Sequence, residues 1–115
     1  MNFDNNVPIY LQIVDYLKIY IISGKYDLGE RLPSVRDLAY EVQVNPNTMQ
    51  KALVELENLK LVYTESTNGR FVTKDKELIK KFKEEYAKEL TDKYLKNMED
   101  IGLTYEDVKK IIGGK

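Results

Sequence analysis

Residues 44–53 read VNPNTMQKAL, two asparagines and a proline leading directly into apolar residues at helical spacing. Pro46 is well placed only as the first helical residue, where it has no N–H to leave unsatisfied and its fixed φ already suits the helix. Asn45 is then the N-cap, its side-chain oxygen accepting an orphan N–H of the first turn. From this start the pattern predicts a helix over residues 46 to about 59, with Met49, Ala52, Leu53 and Leu56 on the inner face. At about 100° per residue, Asn47, Gln50, Lys51 and Val54 project from the opposite side, which is polar but mostly uncharged.

Upstream, Ser34 with Asp37 three residues on resembles a capping box, and Val35, Leu38, Ala39 and Val42 follow at i, i+3, i+4 and i+7. This helix has room for about two turns before Asn45 caps the next. Residues 41–44 therefore make a tight turn between helices, a helix-turn-helix. Gln43 sits where such turns often carry glycine, at a cost of about 1 kcal/mol if its φ is positive. Further back, Pro8 opens a first helix with Tyr10, Ile13, Val14, Leu17, Tyr20 and Ile21 on one face, and Gly24 ends it. The connection GKYDLGERLPS, residues 24–34, holds the turn residues Gly24, Gly29 and Pro33 and reads as a fixed irregular path.

Downstream, LVYTE (61–65) and RFVTK (70–74) are short β-prone runs separated by STNG, which predicts a hairpin with Asn68-Gly69 in its turn. Three helices and a two-stranded wing describe a mainly α fold, a winged helix-turn-helix over residues 1–74. From Asp75 the composition shifts to Lys and Glu, with Leu78, Phe82, Tyr86, Leu90, Tyr94 and Met98 at every fourth position and Ile79, Ala87 and Leu95 beside them. A period of four drifts around the helix axis, so this apolar band is broad and meets two surfaces. Gly102 breaks that helix, and Thr104 with Asp107 caps a last one carrying Val108, Ile111 and Ile112. The tail, Gly113-Gly114-Lys115, is expected to fray.

Residues 75–115 hold 10 Lys or Arg and 10 Asp or Glu at helical spacing, a solvated face with i,i+4 pairs. Two helices are too little to bury the apolar band alone. The expectation is a homodimer, with residues 75–115 as its two-helix dimerisation segment and Leu78, Phe82, Tyr86, Leu90, Tyr94 and Met98 at the contact.

Composition narrows the function. The 115 residues are 43% hydrophobic and 32% charged, the balance of a folded globular chain. No apolar run approaches the ~18 residues of a membrane span, and MNFDNNVP lacks the basic start and apolar centre of a signal peptide, so the expected location is cytoplasmic, with no membrane partner. Cysteine and histidine are both absent, which removes disulfides, thiolate chemistry, the common zinc ligand sets and histidine acid/base catalysis. No nucleophile, glycine-rich phosphate loop or metal-ligand cluster stands out, so no catalytic residue, cofactor or metal is expected. The net charge is −1, and residues 1–74 carry 8 basic against 9 acidic side chains, so affinity for phosphate has to come from local clustering.

The motifs PIYLQI, G-x-x-x-x-G-x-R-L-P-S-V-R-D-L-A over residues 24–39, VNPNTMQKAL, and GRFV at 69–72 occur in the order and spacing of the DNA-binding domain of GntR-family bacterial transcription regulators, which residues 7–73 resemble. The short C-terminal segment is similar to that of the small YtrA-type subgroup, in which it mediates dimerisation. The resemblance implies a dimeric repressor on a palindromic operator, each third helix in a major groove and each wing at a minor groove, with half-sites ~34 Å apart. It also implies regulation of the chain's own operon, with transport or envelope-stress genes as targets.

Carried over to this sequence, the family's DNA contacts fall on Arg36, Asn45, Asn47, Thr48 and Gln50; relatives often have arginine where Gln50 stands, and Lys51 follows it here. Independently of the family, Asn and Gln amides match the adenine N6/N7 edge, which makes Asn47 and Gln50 base readers worth roughly 1–3 kcal/mol each if bidentate. Ser34, Thr48 and Lys51 suit phosphate, and Arg36 suits either. In the wing the family pattern G-x-G-T-F-V is met by Thr67, Asn68, Gly69, Arg70, Phe71 and Val72, one glycine lost and an arginine gained, leaving Asn68, Gly69 and Arg70 as the wing contacts. A small-molecule effector would lie at the dimer contact among Phe82, Tyr86, Leu90 and Tyr94, where so short a segment leaves little room for a pocket of ~300 Å³. The net charge of −1 also permits a winged helix that binds protein instead of DNA, a reading that acidic neighbours around Asn47 and Gln50 would favour.

Overall fold

The first three helices form where caps and spacing place them. In the computed structural model, which describes residues 2–114, α1 spans Ile9–Ile22, α2 Val35–Val42 and α3 Pro46–Asn58. Asn45 caps α3, its Oδ1 accepting the Asn47 N–H at 2.7 Å, with Pro46 as the first helical residue. Ser34 caps α2 by accepting the Asp37 N–H at 3.1 Å, a single bond and not the reciprocal pair of a capping box. Helix α3 packs on both α1 and α2, and its Met49, Ala52, Leu53 and Leu56 are all buried, as the spacing predicts. They meet Ile13, Val14, Leu17, Ile21 and Ile22 of α1 and Leu38, Ala39 and Val42 of α2. Tyr10 and Tyr20, expected on the inner face of α1, are only half-buried. Tyr20 stays at the core edge, where its hydroxyl accepts a bond from the Tyr16 hydroxyl at 2.9 Å.

Two sharp reversals use residues other than glycine. Gln43 has φ +63°, the left-handed conformation foreseen as a strain, and its N–H closes α2 on the Ala39 and Tyr40 carbonyls. Lys60, at φ +68°, does the same after α3, letting the Leu61 N–H reach the Leu56 carbonyl at 3.1 Å and returning Leu61 to the core.

The wing pairs β1 (Val62–Thr64) with β2 (Arg70–Val72) antiparallel, Val62 opposite Val72 and Thr64 opposite Arg70. Asn68-Gly69 lies in its turn, as expected. Residues 65–69 connect the strands through a 3₁₀ turn at Ser66–Asn68, with positive φ at Ser66 (+47°) and Gly69 (+109°), and the Glu65 N–H closes the loop on the Gly69 carbonyl at 2.9 Å. The connection upstream of α2 is also more ordered than an irregular path. The Val72 N–H donates to the Glu30 carbonyl and the Leu32 N–H to the Arg70 carbonyl, both at 2.8 Å, so residues 30–32 lie along the free edge of β2.

The chain divides between Lys80 and Lys81 into two compact units. Helix α4 (Lys76–Asp100) starts after Asp75, whose Oδ1 accepts the Leu78 N–H at 3.1 Å; the boundary expected at residue 74 therefore marks the helix start, and the first turn of α4 belongs to the first unit. In the second unit α4 ends at Asp100 and the chain turns at Gly102, φ +87°. Thr104 and Asp107 then form a reciprocal capping box, with bonds of 3.2 and 2.9 Å, at the start of α5 (Tyr105–Gly113). Helix α5 runs through Gly113 with Gly114 as its C-cap; Lys115, the last residue of the tail expected to fray, lies outside the described residues. Val108 of α5 is buried, whereas no residue of α4 is. Lys88 and Lys96 of α4 pair with Asp92 and Asp100 at 2.7 and 2.8 Å, the expected i,i+4 pattern. Among the described residues no helix is long and apolar enough to cross a membrane.

Candidate nucleic-acid interface

The side chains singled out in the sequence fall on three neighbouring features of the first unit: the starts of α2 and α3, and the wing. Asn45 and Asn47 are exposed at the N-terminal turn of α3, Thr48 is half-buried beside them, and Gln50 is exposed one turn on. A helix N-terminus presents unpaired N–H groups and a partial positive charge, so this turn combines amide side chains with a backbone suited to phosphate. Arg36, exposed on α2, makes no ion pair with Asp37 or Glu41, and no other partner for it is found among the described residues. Lys51 is exposed too, but its Nζ rests 4.2 Å from the ring centre of Tyr10 in α1. Such a cation–π contact holds the ammonium near the surface of the helix pair without neutralising it.

Arg70 differs from the expectation for a free wing contact. Its Nε donates to the Glu57 carboxylate, its Nη1 donates to Gln50 Oε1 at 3.2 Å, and its side chain is only 19% exposed. Glu57 lies two turns beyond Gln50 on α3 and also accepts from the Thr64 hydroxyl of β1 at 2.7 Å. Burial pushes the Glu57 carboxyl up, but the hydrogen bonds from Thr64 and Arg70 and the guanidinium charge outweigh it, so its pKa lies below the ordinary 4.5. The arginine gained in the wing is thus a brace between the hairpin and α3, and it neutralises an acid on the face of α3 that carries Gln50.

A residue that sequence reasoning did not single out stands at the wing base. Arg31 of the edge segment is exposed and without an ion pair among the described residues. A Cβ on Gly69 would sit 3.1 Å from Arg31 Nε, so Gly69 serves both its positive φ and the passage of this side chain. With Ser34, Gly69 and Arg70, Arg31 lines an open groove of about 660 Å³ between the wing and the start of α2. Arg31 came without a signal, because its position depends on a non-local pairing of a three-residue segment that has no strand pattern. The structure thus brings Gln50 to Arg70, and Ser34 to Gly69 and Arg70; Lys51 leans instead toward α1. Asn68 is exposed at the wing tip, its N–H held by the Glu65 carbonyl at 2.8 Å.

Comparison with known proteins places this geometry. Residues 9–72 match the model of the family described as bacterial regulatory proteins, gntR family. The chain is 35% identical over 106 residues to the uncharacterized HTH-type transcriptional regulator YhcF of Bacillus subtilis (strain 168), covering 92% of this chain and 88% of that protein. It is 37% identical over 71 residues to the HTH-type transcriptional repressor YtrA of the same organism, covering 62% of this chain and 55% of YtrA. Among solved structures, a GntR family transcriptional regulator from Listeria monocytogenes superposes with a TM-score of 0.87 at 37% identity, over 98% of this chain and 99% of that one.

Proposed function

Because the chain belongs to the GntR family and is a winged helix-turn-helix transcription regulator that binds DNA, we propose that it is a repressor acting as a homodimer on a palindromic operator upstream of its own operon, with transporter genes as targets. The family and the relatives above are regulators and not enzymes. Each α3 enters a major groove and each wing approaches the adjacent minor groove, with half-sites about 34 Å apart. Asn47 reads a base edge from the first turn of α3, with adenine N6/N7 as its natural match, and Gln50 reads a second base. Ser34, Thr48 and Lys51, with the free N–H groups at the two helix starts, hold phosphates; Arg36 lies beside them; Asn68 and Gly69 bring the wing to the backbone.

The observation that carries this reading is the uncharged edge at the start of α3, where Asn47 and Gln50 are exposed and Thr48 is half-buried between them. It explains how a chain of net charge −1 engages DNA. The protein-binding alternative needed acids around Gln50; Glu57, on that face of α3, is instead neutralised by Arg70. Support for a repressor comes from the name of YtrA. Support for the homodimer comes from α4, where Leu78, Phe82, Tyr86, Leu90, Tyr94 and Met98 run along 25 helical residues and none is buried. In such a dimer any small-molecule effector sits among Phe82, Tyr86, Leu90 and Tyr94.

The test is fluorescence anisotropy of the full chain with duplexes tiling its upstream region, against scrambled duplexes, at two salt concentrations. Tight binding to one palindromic tile is expected. Equal, weak binding to every tile would contradict the reading.

A further inference from the structure

The guanidinium of Arg70 faces the amide of Gln50, and this decides what Gln50 can offer DNA. A guanidinium has donors only, so the amide atom turned toward it has to be the oxygen; the flipped amide would set donor against donor. The contact is Arg70 Nη1 to Gln50 Oε1, 3.2 Å, while Arg70 Nε is fixed on a carboxylate that Thr64 also holds. One plane of nitrogens thus spans two partners, and the arrangement exists before any DNA arrives. Among the described residues Gln50 Nε2 has no partner, and the side chain is exposed.

Resting on the proposed DNA-binding role, we propose that Arg70 is a positioning residue that fixes Gln50 as a hydrogen-bond donor, so that Gln50 selects a keto oxygen, guanine O6 or thymine O4, in the major groove. The paired reading of adenine expected of a glutamine needs Oε1 to accept from N6 and Nε2 to donate to N7. With Oε1 held by a cation, the acceptor half of that pair is disfavoured and the donor half remains. Arg70 itself is not a phosphate contact, because its charge is matched by Glu57. A lysine at position 70 cannot replace it, since a single ammonium on a flexible stem has no fixed plane with which to face both partners.

The experiment uses the full chain. It first selects its sites from a library of randomised duplexes, and the base pair at which Gln50→Ala relaxes the preference identifies the contact. At that pair one functional group at a time is removed from the DNA: the keto oxygen, for example by replacing guanine with 2-aminopurine, or the amino group, for example by replacing adenine with purine. Loss of the keto oxygen is expected to weaken binding of the unaltered chain about fivefold and to add nothing in Gln50→Ala, Arg70→Met or Arg70→Lys. Loss of the amino group is expected to affect the unaltered chain and Gln50→Ala alike, and Arg70→Met to leave the slope of log affinity on log salt unchanged.

An amino-group penalty that Gln50→Ala abolishes would overturn the proposal, since Gln50 would then be accepting. So would an Arg70→Met variant weakened equally on every duplex with a slope lower by about one, the mark of a phosphate contact. The group-deletion comparison on the unaltered chain stands even if an Arg70 variant fails to fold. No enriched sequence in the selection would overturn sequence-specific binding itself, and this inference with it, an outcome distinct from the other two.

Discussion

The two units of this chain have similar apolar periodicity and use it in opposite ways. In the first unit the inner faces of α1, α2 and α3 close on one another, and Leu56 is fully buried. In the second, the apolar band of α4 has no fully buried residue, Leu90 remaining 51% exposed. Apolar spacing therefore specifies a face but not its partner. Three short helices with a wing cover one another within the chain, whereas one long helix and one short one do not. The exposed faces differ as well. The first unit presents amides and unpaired cations, suited to a ligand of phosphates and base edges; α4 presents Lys–Asp pairs that satisfy themselves.

The largest contrast should appear in paired truncations. Leu56→Ala is expected to destabilise the fold by about 2–5 kcal/mol, because a fully buried leucine leaves a cavity. Leu90→Ala is expected to change unfolding by less than about 0.5 kcal/mol in dilute solution and to weaken self-association instead. Urea unfolding at two protein concentrations checks both, and equal costs would erase the distinction between the units. Next in size, a chain ending at Lys80 should sediment as a monomer and lose about 100-fold in operator affinity, since two half-sites no longer bind as one event. A surviving dimer would place self-association in the winged unit.

Smaller effects sharpen the reading of the first unit. Asn47→Ala should cost roughly 1–3 kcal/mol at one base pair and leave the salt slope unchanged, whereas Lys51→Ala should weaken every duplex alike and lower the slope by about one. Binding isotherms over a salt series separate the two, and identical behaviour would remove the division between reading and holding.

The smallest effect concerns the brace between wing and α3. The folded pKa of Glu57 lies below its ordinary value, so its contribution is fully present above about pH 4.5 and is lost as pH falls through the lower folded value. Partial exposure keeps it small, below about 1 kcal/mol. The stability difference between the native chain and Glu57→Gln should therefore shrink as pH falls from 5 to 3 in thermal melts; a difference that widened would reverse the assigned sign.

Much of this was legible in the sequence because it was local. The Asn45–Pro46 start, the inner face of α3, the cap at Thr104 and Asp107, and the position of the hairpin all follow from residues within a few positions of one another. The strain at Gln43 was visible because a tight turn between helices often carries glycine there, at a position that calls for positive φ. What escaped depends on chain segments far apart. Residues 30–32 lie along β2 only because β2 offers an unpaired edge, and Arg31 reaches the wing base only through that pairing. Arg70 appeared as a free charge at a wing tip because neither Glu57, thirteen residues away, nor Gln50, twenty away, marks itself as a partner. The place of the wing turn was legible because Asn68-Gly69 is a strong local signal; its 3₁₀ form was not, because the strand register that leaves five residues to be accommodated is set by pairing across the hairpin.

Two copies of this chain that read two half-sites on one face of DNA need those half-sites in fixed rotational register. The decisive measurement is the affinity of the full chain for the selected operator with five base pairs inserted between its half-sites. Half a helical turn moves the half-sites to opposite faces, and binding is expected to fall to the affinity of a single half-site, about 100-fold. Unchanged affinity would contradict it.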